Sequence, residues 1–252
     1  MAQIGYGYGS EFHLMRFLGH HRDFLELRIS QQIKEVGIFK WLDFEFAKDP
    51  LSSISGDKEL SGLSFLNKIG TSDSQIQSVV SEYRSYSINK IDSWQNWDAI
   101  FTLNDTLYLV EAKAHVSEIS SDKKEHGGSS KYEILRFFTE QLGENTPYNF
   151  PVTLEWLRNY YQLANRMATA ALLNKHGIKT KVLYIYFTNG YDKRIVDEGK
   201  VVRIYEDNAS ESDYEKAIEK EEKGLGIYQN DKLKQLLTPP VFINAYEDKN
   251  ND

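Results

Sequence analysis

Of 252 residues, 40% are hydrophobic, 27% charged and 13% aromatic, the balance of a folded globular chain and too aromatic for a disordered one. The absence of cysteine excludes disulfide scaffolds, thiol nucleophiles, zinc ribbons and thiolate-bound iron–sulfur clusters, so any metal must be held by oxygen or imidazole. The net charge of −7 argues against a phosphate-rich partner, but residues 201–252 hold 7 Lys and Arg against 12 Asp and Glu, and the nearly neutral remainder leaves room for a local basic groove.

The chain opens on Met1-Ala2-Gln3-Ile4-Gly5-Tyr6, which lacks the charged and apolar regions of an export signal, and no run approaches the ~18 apolar residues of a membrane span. A cytoplasmic protein of one domain, without a membrane partner, is expected. Ser10 reads as an N-cap before a helix patterned by Phe12, Leu14, Phe17, Leu18, Phe24, Leu25, Ile29 and Ile33, with Gly19 as a point where it could split. Phe39 to Phe46 is an aromatic run typical of a strand, stopped by Asp49-Pro50. Residues 48–93 read as an insertion, with a short apolar piece at Leu60, Leu63, Phe65 and Leu66 and a helix over 75–86.

Residues 97–103 and 106–114 flank Asn104-Asp105 and predict a β-hairpin. The polar segment 116–131 reads as a loop long enough to suspect a function. Helices are predicted over 131–142 and 154–175, the second capped by Thr153 and ended by His176-Gly177, and 181–187 as a buried strand. Beyond Asn189-Gly190 come a strand at 201–205, an acidic helix at 210–223 and a final apolar run, VFINAY, after Pro239-Pro240. The core order over 9–190 is αβββαβ, a mixed α/β class with an antiparallel meander and a crossover, and 191–252 reads as an acidic C-terminal extension.

A hairpin centred on Asn104 and Asp105 sets Asp98 opposite Glu111, Ala99 opposite Val110, Ile100 opposite Leu109 and Phe101 opposite Tyr108. Apolar residues then meet on both faces, which supports the register. Lys113, two residues on from Glu111, shares its face. Two opposed carboxylates repel unless something positive lies between them, and a hard cation such as Mg²⁺ suits one or two carboxylates plus waters and a phosphate. A neighbouring lysine can orient a polarised water or neutralise charge on a phosphate.

These residues, WDAIF with LYLVEAKAH inside an αβββαβ order, resemble the PD-(D/E)XK nuclease superfamily, with its restriction-endonuclease-like fold of a mixed central sheet flanked by helices. Trp97 stands where the family's name has proline. The resemblance implies a Mg²⁺-dependent nuclease, with Mn²⁺ as substitute, that hydrolyses phosphodiester bonds of DNA. Asp98 and Glu111 would hold the metal with the backbone carbonyl of Ala112, and Lys113 would assist the water. It also implies accessory roles for Glu11 on the first helix and Gln162 on the helix after the hairpin. Tyr161, Arg166 and His115 are candidates for substrate contact. A homodimer is left open.

Other readings compete for the same residues. The three charges could form a solvated hairpin face, although Ile100, Leu107 and Leu109 share that face. The polar stripe Glu155, Arg158, Asn159, Gln162, Asn165, Arg166 and Thr169 has an ordinary explanation as a solvent face, opposite a core stripe of Leu157, Tyr160, Ala164, Met167, Ala168 and Ala171. His13, His20 and His21 lack metal-ligand spacing and read as structural or surface residues. Gly5, Gly7 and Gly9 do not form a nucleotide cradle. The run Glu219 to Lys223 reads as a solvated helix face. The alternative to catalysis is a nucleic-acid-binding or protein-interaction module that kept the fold.

Overall fold

The computed structural model describes residues 9–42, 60–86, 95–120, 131–197, 200–207 and 209–247. The part of the first predicted strand beyond Leu42, the stop at Asp49-Pro50, the three early glycines other than Gly9 and most of the polar loop after the hairpin lie outside these residues.

The first helical pattern becomes two helices, α1 (Ser10–His20) and α2 (Arg22–Ile33). The break falls at His21, with φ −130° and ψ 33°, two residues past Gly19. Ser10 lies inside α1, and Gly9 takes the cap position at φ 95° with no side-chain cap. Leu14, Phe17, Leu18, Leu25 and Ile29 are buried as their spacing requires. Strand β1 (Lys40–Trp41) is followed by β2 (Leu60–Ser61), a 3-10 turn at Ser64–Lys68 and α3 (Asp73–Arg84). Ser72 caps α3 by accepting from the Gln75 amide. The inserted segment is no appendage: Leu60, Leu63, Phe65, Leu66, Val79 and Tyr83 join the main apolar core.

Strands β3 (Asn96–Trp97), β4 (Ala99–Leu103) and β5 (Thr106–Lys113) come next, and β4 pairs with β5 in the expected register, Ala99 with Val110 and Phe101 with Tyr108. Asn104 and Asp105 both adopt left-handed backbone, φ 47° and 61°, the two-residue turn whose twist matches a hairpin. Helix α4 (Lys131–Leu142) agrees with its pattern. The long helix expected over 154–175 is instead a short α5 (Glu155–Arg158) and α6 (Tyr161–Lys175), separated at Tyr160 with φ −133° and ψ 32°. Leu154, not Thr153, precedes α5, and no side chain caps it.

Strand β6 (Thr180–Thr188) runs parallel to β5, the crossover being made through α4, α5 and α6. A two-stranded ribbon follows, β7 (Tyr191–Asp197) with β8 (Lys200–Asp207), of which only the second was legible. Helix α7 (Glu211–Leu225) has a reciprocal cap between Ser210 and Asp213 and ends at Gly226 in left-handed backbone. After α8 (Asp231–Lys234), β9 (Val241–Asn244) adds a fifth strand parallel to β6. The sheet order is β1-β4-β5-β6-β9, so the region read as an extension completes the sheet.

Side-chain alternation gives this sheet two buried faces. Ala99, Phe101, Tyr108, Val110, Leu183 and Ile185 pack against α1 and α2. Ile100, Leu107, Leu109, Val182, Tyr184 and Tyr186 pack on the other side, in one cluster with residues of α3, α4, α6 and α7. Each fully buried Leu, Ile or Phe contributes about 1.5–3 kcal/mol relative to exposure. Among the described residues no helix is long and apolar enough to cross a membrane.

Candidate functional site

Continued one residue past Ala99 and Val110, the hairpin register brings Asp98 opposite Glu111. The parallel pairing of β5 with β6 sets Glu111 beside Tyr184 and Lys113 beside Tyr186, all on the face covered by α6 and α7. The charges therefore sit at the end of an apolar stripe, under helices and away from solvent. Glu111 is 3% exposed and Lys113 5%, which removes the solvated-face reading for these two.

Four of the residues singled out come together here. Lys113 Nζ donates to Glu111 Oε1 at 2.6 Å and to Gln162 Oε1 at 2.9 Å. Arg166, 6% exposed, donates from Nε and Nη2 to Glu111 Oε2 at 3.0 and 2.7 Å. Its Nη2 also reaches the Asn96 carbonyl at 2.9 Å, and its guanidinium lies over the Trp97 ring, 5.1 Å from the centroid. Arg166 is thus committed to holding Glu111, where the sequence suggested a contact to phosphate. Its helix neighbours Asn165 and Thr169 are fully buried too, and Thr169 Oγ1 accepts from Gln95 at 2.7 Å. The stripe taken for a solvent face is, on α6, the inner polar face of the site. Small residues such as Ala164, Ala168 and Ala171 let α6 be enclosed on every side.

Asp98 Oδ2 accepts from the Ala112 amide at 2.7 Å. In an extended strand the N–H and C=O of one residue point to the same side, so the Ala112 carbonyl opens toward Asp98 as well. Burial, then the charge of Glu111, pushes the Asp98 carboxyl up to about 8. Burial also works against ionised Glu111, but Arg166 and Lys113 outweigh it and hold its carboxyl below the usual value. Lys113 pays desolvation and is nevertheless raised, because Glu111 and Asp98 stabilise its ammonium.

The remaining candidates lie around this group. Tyr161 is partly buried against Phe138, 6.3 Å between ring centroids, and its hydroxyl accepts from Asn165 Nδ2 at 3.4 Å. His115 caps the 3-10 turn Val116–Glu118, its Nδ1 accepting from the Ser117 amide at 3.0 Å. Glu11 is on α1, which packs on the opposite face of the sheet from Glu111. His13, as expected of a structural residue, donates Nε2–H to the Gly190 carbonyl at 2.7 Å.

Sequence reasoning missed Glu221. Its run was read as solvated, yet Glu221 is 4% exposed. Burial pushes its carboxyl up to about 8 against the pull of Lys113, and the tyrosines Tyr160, Tyr184 and Tyr186 feel its charge. The legible signal was its place on the apolar stripe of α7, after Tyr214, Ala217 and Ile218 and before Leu225, at helical spacing.

As a metal site, the donors are two carboxylates and a carbonyl, hard oxygens that suit Mg²⁺ completed by waters and a phosphate. Among the described residues no three His, Asp or Glu side chains gather as a metal cluster. The fit has one condition: both Glu111 oxygens are taken by cations, so one of these must yield. No family model, curated protein or solved structure matches the chain.

Proposed function

We propose that the protein is a metal-dependent nuclease, with a core of the restriction-endonuclease-like kind, that hydrolyses phosphodiester bonds of DNA. The observation that carries this reading is the buried hairpin end, where Asp98 lies opposite Glu111 and Lys113 joins Glu111 to Gln162 at 2.6 and 2.9 Å. Opposed carboxylates are costly in a sheet unless they serve a cation.

Asp98, Glu111 and the Ala112 carbonyl would hold Mg²⁺, or Mn²⁺ in its place, which supplies a polarised water and neutralises charge on the phosphate. Asp98 is held in place by the Ala112 amide, and Glu111 by Arg166. Lys113, fixed by Gln162, orients the attacking water and stabilises charge as it develops on the phosphoryl oxygens. Helices α6 and α7 keep bulk water from the pair, which strengthens each of these interactions.

Incubation of supercoiled plasmid with the protein tests the reading: cleavage is expected with Mg²⁺ or Mn²⁺ and none with Ca²⁺ or EDTA. Equal cleavage in EDTA overturns it. Lys113→Ala is expected to keep DNA binding and lose most of the rate, since the lysine acts chiefly in the transition state; an unchanged rate would make Lys113 a structural residue only.

One observation favours a second reading. Glu111 is neutralised on both oxygens by Lys113 and Arg166, a closed network that would serve a non-catalytic nucleic-acid-binding or protein-interaction module equally well. That module predicts binding without cleavage in every metal.

A further inference from the structure

On α3, Ser78 and Glu82 stand four residues apart and share one face of the helix. That face meets His176, the residue that caps the C-terminus of α6. Ser78 Oγ lies 2.9 Å from His176 Nδ1, and His176 Nε2 lies 2.8 Å from Glu82 Oε2. A carboxylate only accepts, so Nε2 carries the hydrogen and donates it, which leaves Nδ1 of the neutral ring to accept from the Ser78 hydroxyl. Glu82 is fixed in turn, its Oε1 accepting from Lys175 Nζ at 2.7 Å and from Gln141 Nε2 at 2.8 Å. We propose that Ser78, His176 and Glu82 form a separate active site that hydrolyses carboxylic esters with an aliphatic acyl group by way of an acyl-serine. The inference goes beyond the nuclease reading and does not depend on it.

A hydroxyl is a weak nucleophile until a base at hydrogen-bond distance takes its proton and a third group orients that base, and all three positions are filled here. Burial works against ionised Glu82, but its hydrogen bonds from Lys175, Gln141 and His176 outweigh it and hold the carboxyl below the usual value. The imidazolium that forms at His176 is therefore stabilised from two sides, by the Glu82 carboxylate and by the negative end of the 15-residue helix α6.

Gln75 lies on α3 one turn before Ser78. Its Oε1 accepts from Ser72 Oγ at 2.9 Å, and its Nε2 donates to the His176 carbonyl at 3.4 Å. The second N–H of this amide is a donor beside Ser78 for the oxygen of a tetrahedral intermediate. Gln75 and Gly177, the latter next in the chain to His176, also line a cleft of about 1120 Å³ whose apolar lining is Leu42, Ile69, Leu107 and Ile178. The cleft is large enough for a small molecule, and its aliphatic lining suits an acyl chain.

The reaction needs only water besides the ester. Ser78 Oγ bonds to the ester carbonyl carbon as its proton passes to His176 Nδ1; the carbon–oxygen bond to the alcohol then breaks, and the alcohol leaves with that proton. Water attacks the acyl-serine next, giving a proton to His176. The carboxylic acid departs as Ser78 Oγ takes that proton back.

The test uses the full-length protein in EDTA, where a metal-dependent nuclease is silent, with 4-nitrophenyl butyrate as substrate and, separately, a fluorophosphonate that reacts with activated serines. Hydrolysis above the buffer rate is expected, and peptide mass spectrometry should find the phosphonate on Ser78. Ser78→Ala suits an exposed helix position and should lower kcat/KM at least about a hundredfold and abolish the label. Glu82 is a positioning residue: Glu82→Gln should lower kcat about tenfold with KM little changed, and Glu82→Asp should recover part of the loss. If the three side chains only tie α3 to α6, Glu82→Gln lowers the melting temperature while wild type shows neither hydrolysis nor label. That result overturns the inference, as does a label on another residue or a Ser78→Ala variant as active as wild type. Ser78→Ala decides by itself if Glu82→Gln melts below the assay temperature. Plasmid cleavage with Mg²⁺ is a separate readout, so either reading can fail alone.

Discussion

At Asp98 the folded protein holds a carboxyl whose ionisation is opposed first by burial and then by Glu111. The unfolded chain releases that proton near the ordinary value of 3.8, and the folded chain retains it up to about 8. Between these two values the folded state binds more protons, so this group's contribution to stability falls as pH rises through the window. Asp98→Asn can still accept from the Ala112 amide and carries no charge. Its stability relative to wild type, measured by thermal melts in EDTA, should therefore increase from pH 4 toward pH 8. Millimolar Mg²⁺ should close or invert the gap, since wild type gains about 2.7 kcal/mol at a hundred times its dissociation constant and the Asn variant loses a ligand. Four curves without a metal-dependent difference would defeat the assignment of Asp98.

The residue scale also marks where one-dimensional reading stops. Asp98, Glu111 and Lys113 were legible because strand alternation and a two-residue turn place them together with no knowledge of the rest of the fold. Gln162 accepts a hydrogen bond from Lys113, a partner that depends on how α6 packs over the sheet. Arg166 was a candidate for substrate contact, and its bonds to Glu111 could not be read from the chain, because a polar stripe on a helix looks the same whether it faces water or a buried carboxylate.

Among the elements, the hairpin turn has the simplest physics. Asn104 and Asp105 both occupy left-handed backbone, which costs most L residues roughly 1–2 kcal/mol and glycine nothing. Asp105→Gly is expected to raise stability by up to about 1 kcal/mol in urea unfolding, with the register unchanged. A loss of stability would mean that the Asp105 side chain, and not its backbone, holds the turn. The helix breaks at His21 and Tyr160 were poorly marked in sequence, with no proline at either. At the first, Arg22 Nε covers the freed Leu18 carbonyl at 2.9 Å. At the second, Tyr160 fits against Gly224 of α7, a contact between residues far apart in the chain. Periodicity locates helical stretches, but a break that is stabilised by a distant partner leaves no local trace.

For the molecule as a whole, the C-terminal region matters more than its acidic composition suggested. Strand β9 pairs with β6, from Ile185 with Val241 to Thr188 with Asn244, and buries Val241 and Ile243 under α2. Arg16 and Arg28 donate to the Ala245 and Phe242 carbonyls at 3.0 and 3.2 Å, tying both N-terminal helices to the last strand. A chain limited to residues 1–208 would expose one edge of β6 and the apolar surface beneath α7. It should lose its cooperative thermal transition and its near-ultraviolet circular dichroism; a truncated chain melting like the full one would make residues 209–252 an appendage.

Local rules of the chain suffice for the mixed α/β class, the hairpin with its register, the two buried faces of the central strands and the convergence of Asp98, Glu111 and Lys113. Each follows from short-range periodicity or turn geometry, which act over a few residues and can be read along the chain. Tertiary packing alone settles that the segment around 60–86 belongs to the core, that β9 completes the sheet, that Arg166 belongs to Glu111, and that Glu221 is buried. Those outcomes depend on which surfaces meet. A charged residue on a helix is stable in water or beside a buried counter-charge, and the choice is made by elements distant in the chain, as Glu111 lies 55 residues from Arg166.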